Sequence, residues 1–152
     1  LYSRHNVMNE LEIHARHEIM LEDFIKKVQI ESRVMGDLAL NHVIPTAILY
    51  QNKLIENANG MKGLGLDNSA AIETIKDVSR HIEAVKSNVN AMIDARRKLN
   101  KEEDIVKRAK GYQKEVKEAF FDQIRYAVDK LELLVDDESW PLVKYREMLF
   151  IR

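Results

Sequence analysis

Apolar residues recur along most of this chain at intervals of three and four, the period of helices that bury one side. From 69 to 99, Ile75, Val78, Ile82, Val85, Val89 and Met92 follow steps of 3, 4, 3, 4 and 3, and Leu99 resumes the series after Arg96 interrupts it. From 101 to 135, Ile105, Ala109, Tyr112, Val116, Phe120, Ile124, Ala127, Leu131 and Leu134 mostly alternate four and three. From about Met8 to Ala58, Leu21, Ile25, Val28, Ser32, Met35, Ala39 and His42 do the same. Narrow seams of this kind must close against partner seams. No period-two alternation is sustained, so no strands are expected. The pattern predicts an all-α fold: an elongated, antiparallel, coiled-coil-like bundle of three helices, with a short docking helix at its C-terminal end.

Punctuation sets the boundaries. Helix 1 is expected over 8–58, with a kink near Asn41, because Pro45 lacks an N–H and crowds the carbonyl four residues back. Asn59-Gly60-Met61-Lys62-Gly63-Leu64-Gly65 holds three of the five glycines and reads as the connector. Helix 2 is expected over 69–99 and helix 3 over 101–135, followed by a tail over 136–152. No Gly or Pro marks the junction of helices 2 and 3. Arg96-Arg97-Lys98 suits a helix C-terminus, and Asn100 with Glu103 reads as a capping box. A helical hairpin is therefore placed at Asn100. Helices of this length are about 50 Å long. The whole of 1–152 is read as one helical domain.

Helix 1 has a second apolar side. Ile19, Ile30, Val34, Ile44, Ile48 and Ile55 fall roughly opposite its seam, Leu38 and Leu40 widen the cover, and Asp37 and Asn41 interrupt it. An outer helix of a three-helix bundle should have a polar back. Either the tail folds over this side, or it docks on a domain outside the segment, since exposed apolar patches mark interfaces. In the tail, Trp140, Tyr145 and Phe150 are large anchors expected to pin it to the bundle or to a neighbour.

Composition narrows the chemistry. The chain has 152 residues, 32% of them charged and 45% hydrophobic, with 24 Lys+Arg against 25 Asp+Glu. A net charge of −1 supplies no field to recruit nucleic acid or anionic lipid. The absence of Cys removes thiolate zinc sites and cysteine nucleophiles. No membrane span or signal peptide is legible, so a cytoplasmic location is expected. His14, His17 and Glu18 share a helix face and are the densest set of candidate metal ligands, but their spacing matches no zincin or di-iron pattern. Solvated histidines are the simpler reading. His42 lies on the seam as a core histidine, and His81 reads as a surface residue. The glycine stretch lacks phosphate-loop spacing. Arg96-Arg97-Lys98 and Lys107-Arg108 have acidic neighbours and read as solvated faces.

Glu10-Leu11-Glu12-Ile13-His14-Ala15-Arg16-His17-Glu18-Ile19, Ile30-Glu31-Ser32-Arg33-Val34-Met35-Gly36-Asp37-Leu38-Ala39 and Asn41-His42-Val43-Ile44-Pro45-Thr46-Ala47 resemble the C-terminal region of type III glutamine synthetases. So do Tyr50-Gln51-Asn52, Val135-Asp136-Asp137-Glu138-Ser139-Trp140-Pro141-Leu142 and Lys144-Tyr145-Arg146-Glu147-Met148-Leu149-Phe150. The resemblance implies a parent enzyme that ligates ammonia to glutamate with ATP and magnesium or manganese. Its catalytic and metal-binding motifs lie upstream, so no catalytic, cofactor or metal residue is carried onto this segment. The implied role is an accessory domain packed on the catalytic domain of the same chain and on neighbouring subunits of a homo-oligomer, with no nucleic-acid or membrane partner. Ile30, Val34, Leu38, Ile44, Ile48, Trp140, Tyr145 and Phe150 are the expected interface. A free-standing interaction module and a metal-dependent enzyme using His14, His17 and Glu18 are the alternatives.

Overall fold

A computed structural model describes residues 8–150, apart from the side chains of Tyr145 and Arg146. Every regular element among the described residues is helical. The first rod opens on a reciprocal cap: the Asn9 side chain accepts the Glu12 N–H, and the Glu12 carboxylate accepts the Asn9 N–H, both at 2.8 Å. Helix α1 (Glu10–Leu38) runs into a π-helical turn (Ala39–Val43) and on into α2 (Ile44–Gly63). This wider turn is what accommodates Pro45. The Ile44 N–H donates to the Ala39 carbonyl five residues back, so one extra residue is inserted just before the missing donor.

That insertion rotates everything beyond it by about 100° relative to a continuous α-helix. Val43, Ile44 and Ala47 turn into the core, and His42 turns out to solvent. Two expectations are thereby corrected: His42 is not on the seam, and Ile44 is not on the outer side. Helix α2 also continues through Gly60 to Gly63, so the connector is residues 64–68 and not the glycine stretch itself. Gly65 alone takes up the left-handed conformation, at φ +70°, and the Leu66 N–H closes back onto the Met61 carbonyl at 2.9 Å.

The second rod, α3 (Ser69–Leu99), ends on Arg96, Arg97 and Lys98, cations that suit the negative end of a helix. The capping box expected at Asn100 and Glu103 does not form. The helix begins instead at Asp104, whose carboxylate accepts the N–H groups of Val106 (2.9 Å) and Lys107 (3.0 Å). The Asn100 side chain is engaged elsewhere. Its oxygen accepts from Gln29 Nε2 at 2.8 Å and from Tyr112 Oη at 2.6 Å, tying the hairpin turn to the first rod.

The third rod comprises α4 (Ile105–Gly111), a π-helical segment (Tyr112–Phe121) and α5 (Asp122–Leu134). Tyr112, Val116, Phe120 and Ile124 are spaced by fours throughout. Three successive fours outrun 3.6 residues per turn, and widened turns keep these positions on one face. Gly111 lets this rod pass close to the second, because a Cβ there would collide with Leu99 Cδ2.

The core lies where the three rods meet. Val78, Val85, Val89 and Met92 of α3 are buried with Val28 and Val43 of the first rod and Val116, Ile124 and Leu131 of the third. The interruptions in two seams answer each other: Arg96 Nη1 donates to the fully buried Ser32 Oγ at 3.1 Å. The tail folds against the end of the third rod. Ser139 caps onto Asp136 through its N–H (2.8 Å) and hydroxyl (2.9 Å). Lys144 Nζ donates to the carbonyls of Glu132 and Val135, both at 3.0 Å, and to Asp137 at 2.6 Å. A single turn, α6 (Tyr145–Met148), follows.

Candidate docking face

The outer side of the first rod is built from side chains four residues apart. Ile30, Val34 and Leu38 stand in a row along α1, with Ile30 62% and Val34 51% exposed. Ile19 lies before them on the same side; Ile48 and Ile55, beyond the π-turn, are also exposed but on a different flank of the rod. Across from the row, Val128 of α5 and Leu142 of the tail form a second wall, over the buried Ile124. Between the walls lies a groove of about 470 Å³, floored in part by Met35, Ala39 and Val43. Its lining is almost wholly aliphatic, and its charged members are Glu31 on one wall and Arg125 on the other. Such a surface offers no converging polar groups to orient a small polar ligand, but it suits an apolar ridge of polypeptide.

The expected interface residues separate into distinct groups. Ile30, Val34 and Leu38 share the outer side of the first rod, whereas Ile48, though exposed, is carried onto another flank by the inserted residue of the π-turn and does not line the groove. Ile44 and Trp140 do not join them, because both are buried within the chain and serve its own core, Trp140 at only 7% exposure. Phe150 is 70% exposed at the far end of the tail, beside the exposed Met148 and Leu149. The side chain of Tyr145 lies outside the described residues. The tail is thus pinned as far as Lys144 and leaves the row at Ile30 and Val34 open to solvent.

Residues the sequence did not single out for the groove are Glu31, Ile124, Arg125, Val128 and Leu142. Ile124 was legible only as a seam position. Val128 lies four residues further along α5, and that i, i+4 pair was the available signal.

The other candidates for chemistry stand apart from this face. His14, His17 and Glu18 are all exposed, and among the described residues no three His, Asp or Glu side chains converge to hold a metal ion. Gly60 and Gly63 are helical and cradle no phosphate. His81 sits in a shallow hollow with Arg80, Asp122 and Tyr126. Burial and the cations of Arg80 and Lys130 lower its pKa, against a smaller opposing pull from Asp77. Arg96 is likewise lowered, first by burial and then by the Arg33 cation, which fits its place between two rods. No helix among the described residues is long and apolar enough to cross a membrane.

Comparison with known proteins places the segment. The glutamine synthetase C-terminal domain family matches residues 1–62, the span that ends where the first rod ends. A glutamine synthetase of Bacteroides fragilis (strain YCH46) is 41% identical over 152 residues, covering 96% of this chain and 21% of that protein. A type-3 glutamine synthetase of Dictyostelium discoideum is 29% identical over 161 residues, covering 100% of this chain and 21% of its own length. A glutamine synthetase of Butyrivibrio fibrisolvens is 24% identical, with 99% and 22% covered. The chain spans about a fifth of the length of the relatives it matches. By its sequence the chain is a relative of the C-terminal region of the glutamine synthetases, with a type-3 member among its kin.

Proposed function

We propose that this segment is a helical scaffolding domain of a glutamine synthetase, catalytically inert by itself. The parent protein would ligate ammonia to glutamate with ATP and magnesium or manganese, using residues that lie upstream. The observation that carries this reading is the exposed aliphatic row on the first rod. Ile19, Ile30 and Val34 remain in contact with water after the three rods and the tail have packed. A row of this length on an outer helix signals a partner surface. The family match supports the same assignment, since it covers the rod that carries the row and stops at its end. In this role the segment holds catalytic-domain surfaces or neighbouring subunits in place, and turnover depends on it indirectly.

The test is to produce the full-length protein with and without this segment and compare oligomer size and ligase turnover. The reading expects smaller assemblies and reduced turnover without it. Unchanged values in both would refute a structural contribution. A segment that purifies as a stable, monodisperse species with no affinity for the remainder would favour a free-standing interaction module instead.

A further inference from the structure

We infer that the groove between the first and third rods is the seat of one α-helix from the polypeptide upstream of Leu1, in the same or a neighbouring subunit. This rests on the scaffolding role proposed above and specifies its contact. Ile30, Val34 and Leu38 form a row at four-residue spacing on α1, and Val128 of α5 with Leu142 of the tail stands across from it over the buried Ile124. Rows at this spacing are the ridges that interdigitate when helices pack, so a third helix can lay its own ridge between them. From Ile30 to Leu38 the row runs about 12 Å, a little over two helical turns. That is the footprint of a short amphipathic helix anchored by residues at i, i+4 and i+8.

Two further observations select the occupant. About four-fifths of the length of the matched relatives lies outside this chain, so a large body of the same protein is available to cover the groove. The family that matches is described as a C-terminal domain, which puts that body upstream. The chain's own exposed tail residues, Met148, Leu149 and Phe150, are not among those that line the groove. Glu31 and Arg125 line the groove through their aliphatic stems, and Arg125 pairs with Asp129 at 3.7 Å, so the seat selects its helix by apolar shape.

The experiment replaces Val34 with the photo-crosslinking residue p-benzoylphenylalanine in the full-length protein, irradiates it, and identifies the adducts by mass spectrometry. The expected adducts fall on one helical stretch upstream of Leu1. Introducing Val128→Asp on the opposite wall should lower their yield at least about tenfold, because a lone carboxylate would be buried against apolar surface. Leu133→Asp, at a position 79% exposed outside the groove, should leave the yield unchanged. Adducts confined to residues 143–150, adducts to this same segment of a second copy, or no adducts would each overturn the inference. So would equal effects of Val128→Asp and Leu133→Asp. If deleting the segment alters assembly while the adducts fall on a second copy, the scaffolding role stands and the upstream-helix seat does not.

Discussion

At the scale of single residues, the polar positions that interrupt the seams carry more information than their hydrophobic neighbours. Ser32 and Arg96 look like defects in two separate patterns, and they meet across the interface at 3.1 Å. Removing one partner leaves a charged donor unsatisfied, which costs more than the pair contributes. Ser32→Ala should therefore destabilise the chain by about 1–2 kcal/mol. A double-mutant cycle with Arg96→Met, read by urea unfolding, should show coupling of about 1 kcal/mol, whereas simple additivity would mean the contact is idle. Spacing cannot foretell such a pairing, because it depends on which turn of one rod lies against which turn of another. Acid titration tests a second set of residues. The Asp104 carboxyl is held below its ordinary range chiefly by the Lys107 N–H, and Asp136 by the hydroxyl and N–H of Ser139. Asp67 is lowered by the N–H and then the hydroxyl of Ser69. A pKa depressed on folding stabilises the fold above the unfolded value, near about pH 4, and that contribution is lost as pH falls through the folded value. The melting temperature should thus drop between about pH 5 and about pH 2, and Asp136→Asn should flatten part of the drop. An identical slope in the variant would show that Asp136 plays no part.

At the scale of elements, helix identity and the three-rod plan are legible in the sequence, and the inside–outside errors in the first rod share one cause. Counting by threes and fours assumes an uninterrupted 3.6-residue period. The π-turn at Ala39–Val43 breaks that assumption, which is why His42 was placed inside and Ile44 outside. Pro45 announced a disturbance but could not say whether the chain would bend or widen. The first rod should therefore depend on the inserted residue. Deleting the exposed Asn41 would swing Ile25 and Val28 by about 100° against Val43 and Ala47, and thermal melting followed by circular dichroism should show loss of the cooperative transition. A deletion variant that melts like the parent chain would refute this account of the turn. The start of the third rod was misplaced for a different reason. Asn100 and Glu103 have the spacing of a capping box, but Tyr112 and Gln29 compete for the Asn100 side chain. Asp104→Ala should accordingly cost about 1 kcal/mol as the loss of a true N-cap. Glu103→Ala should change stability by less than about 0.5 kcal/mol, as expected at an exposed position without a cap.

At the scale of the whole molecule, the two-sided first rod was visible from the apolar count alone, but the groove was not. The groove exists because α5 comes up beside the π-turn that follows α1 and bounds the far side, an arrangement that no pattern within one helix reveals. The open row lies on the rod that the C-terminal-domain family matches, while the relatives align with nearly the whole chain. The central claim is that Val34, half exposed here, is covered once the rest of the protein is present. The segment contains no Cys, so a single Val34→Cys reporter introduces its one thiol. The direct measurement is the maleimide reaction rate of that thiol in the assembled full-length protein, relative to the same protein unfolded in urea. A covered row predicts a rate at least about tenfold slower in the assembly, equivalent to about 1.4 kcal/mol of protection. Equal rates in the assembled and unfolded protein would mean that the row faces water throughout, and the docking account would be wrong.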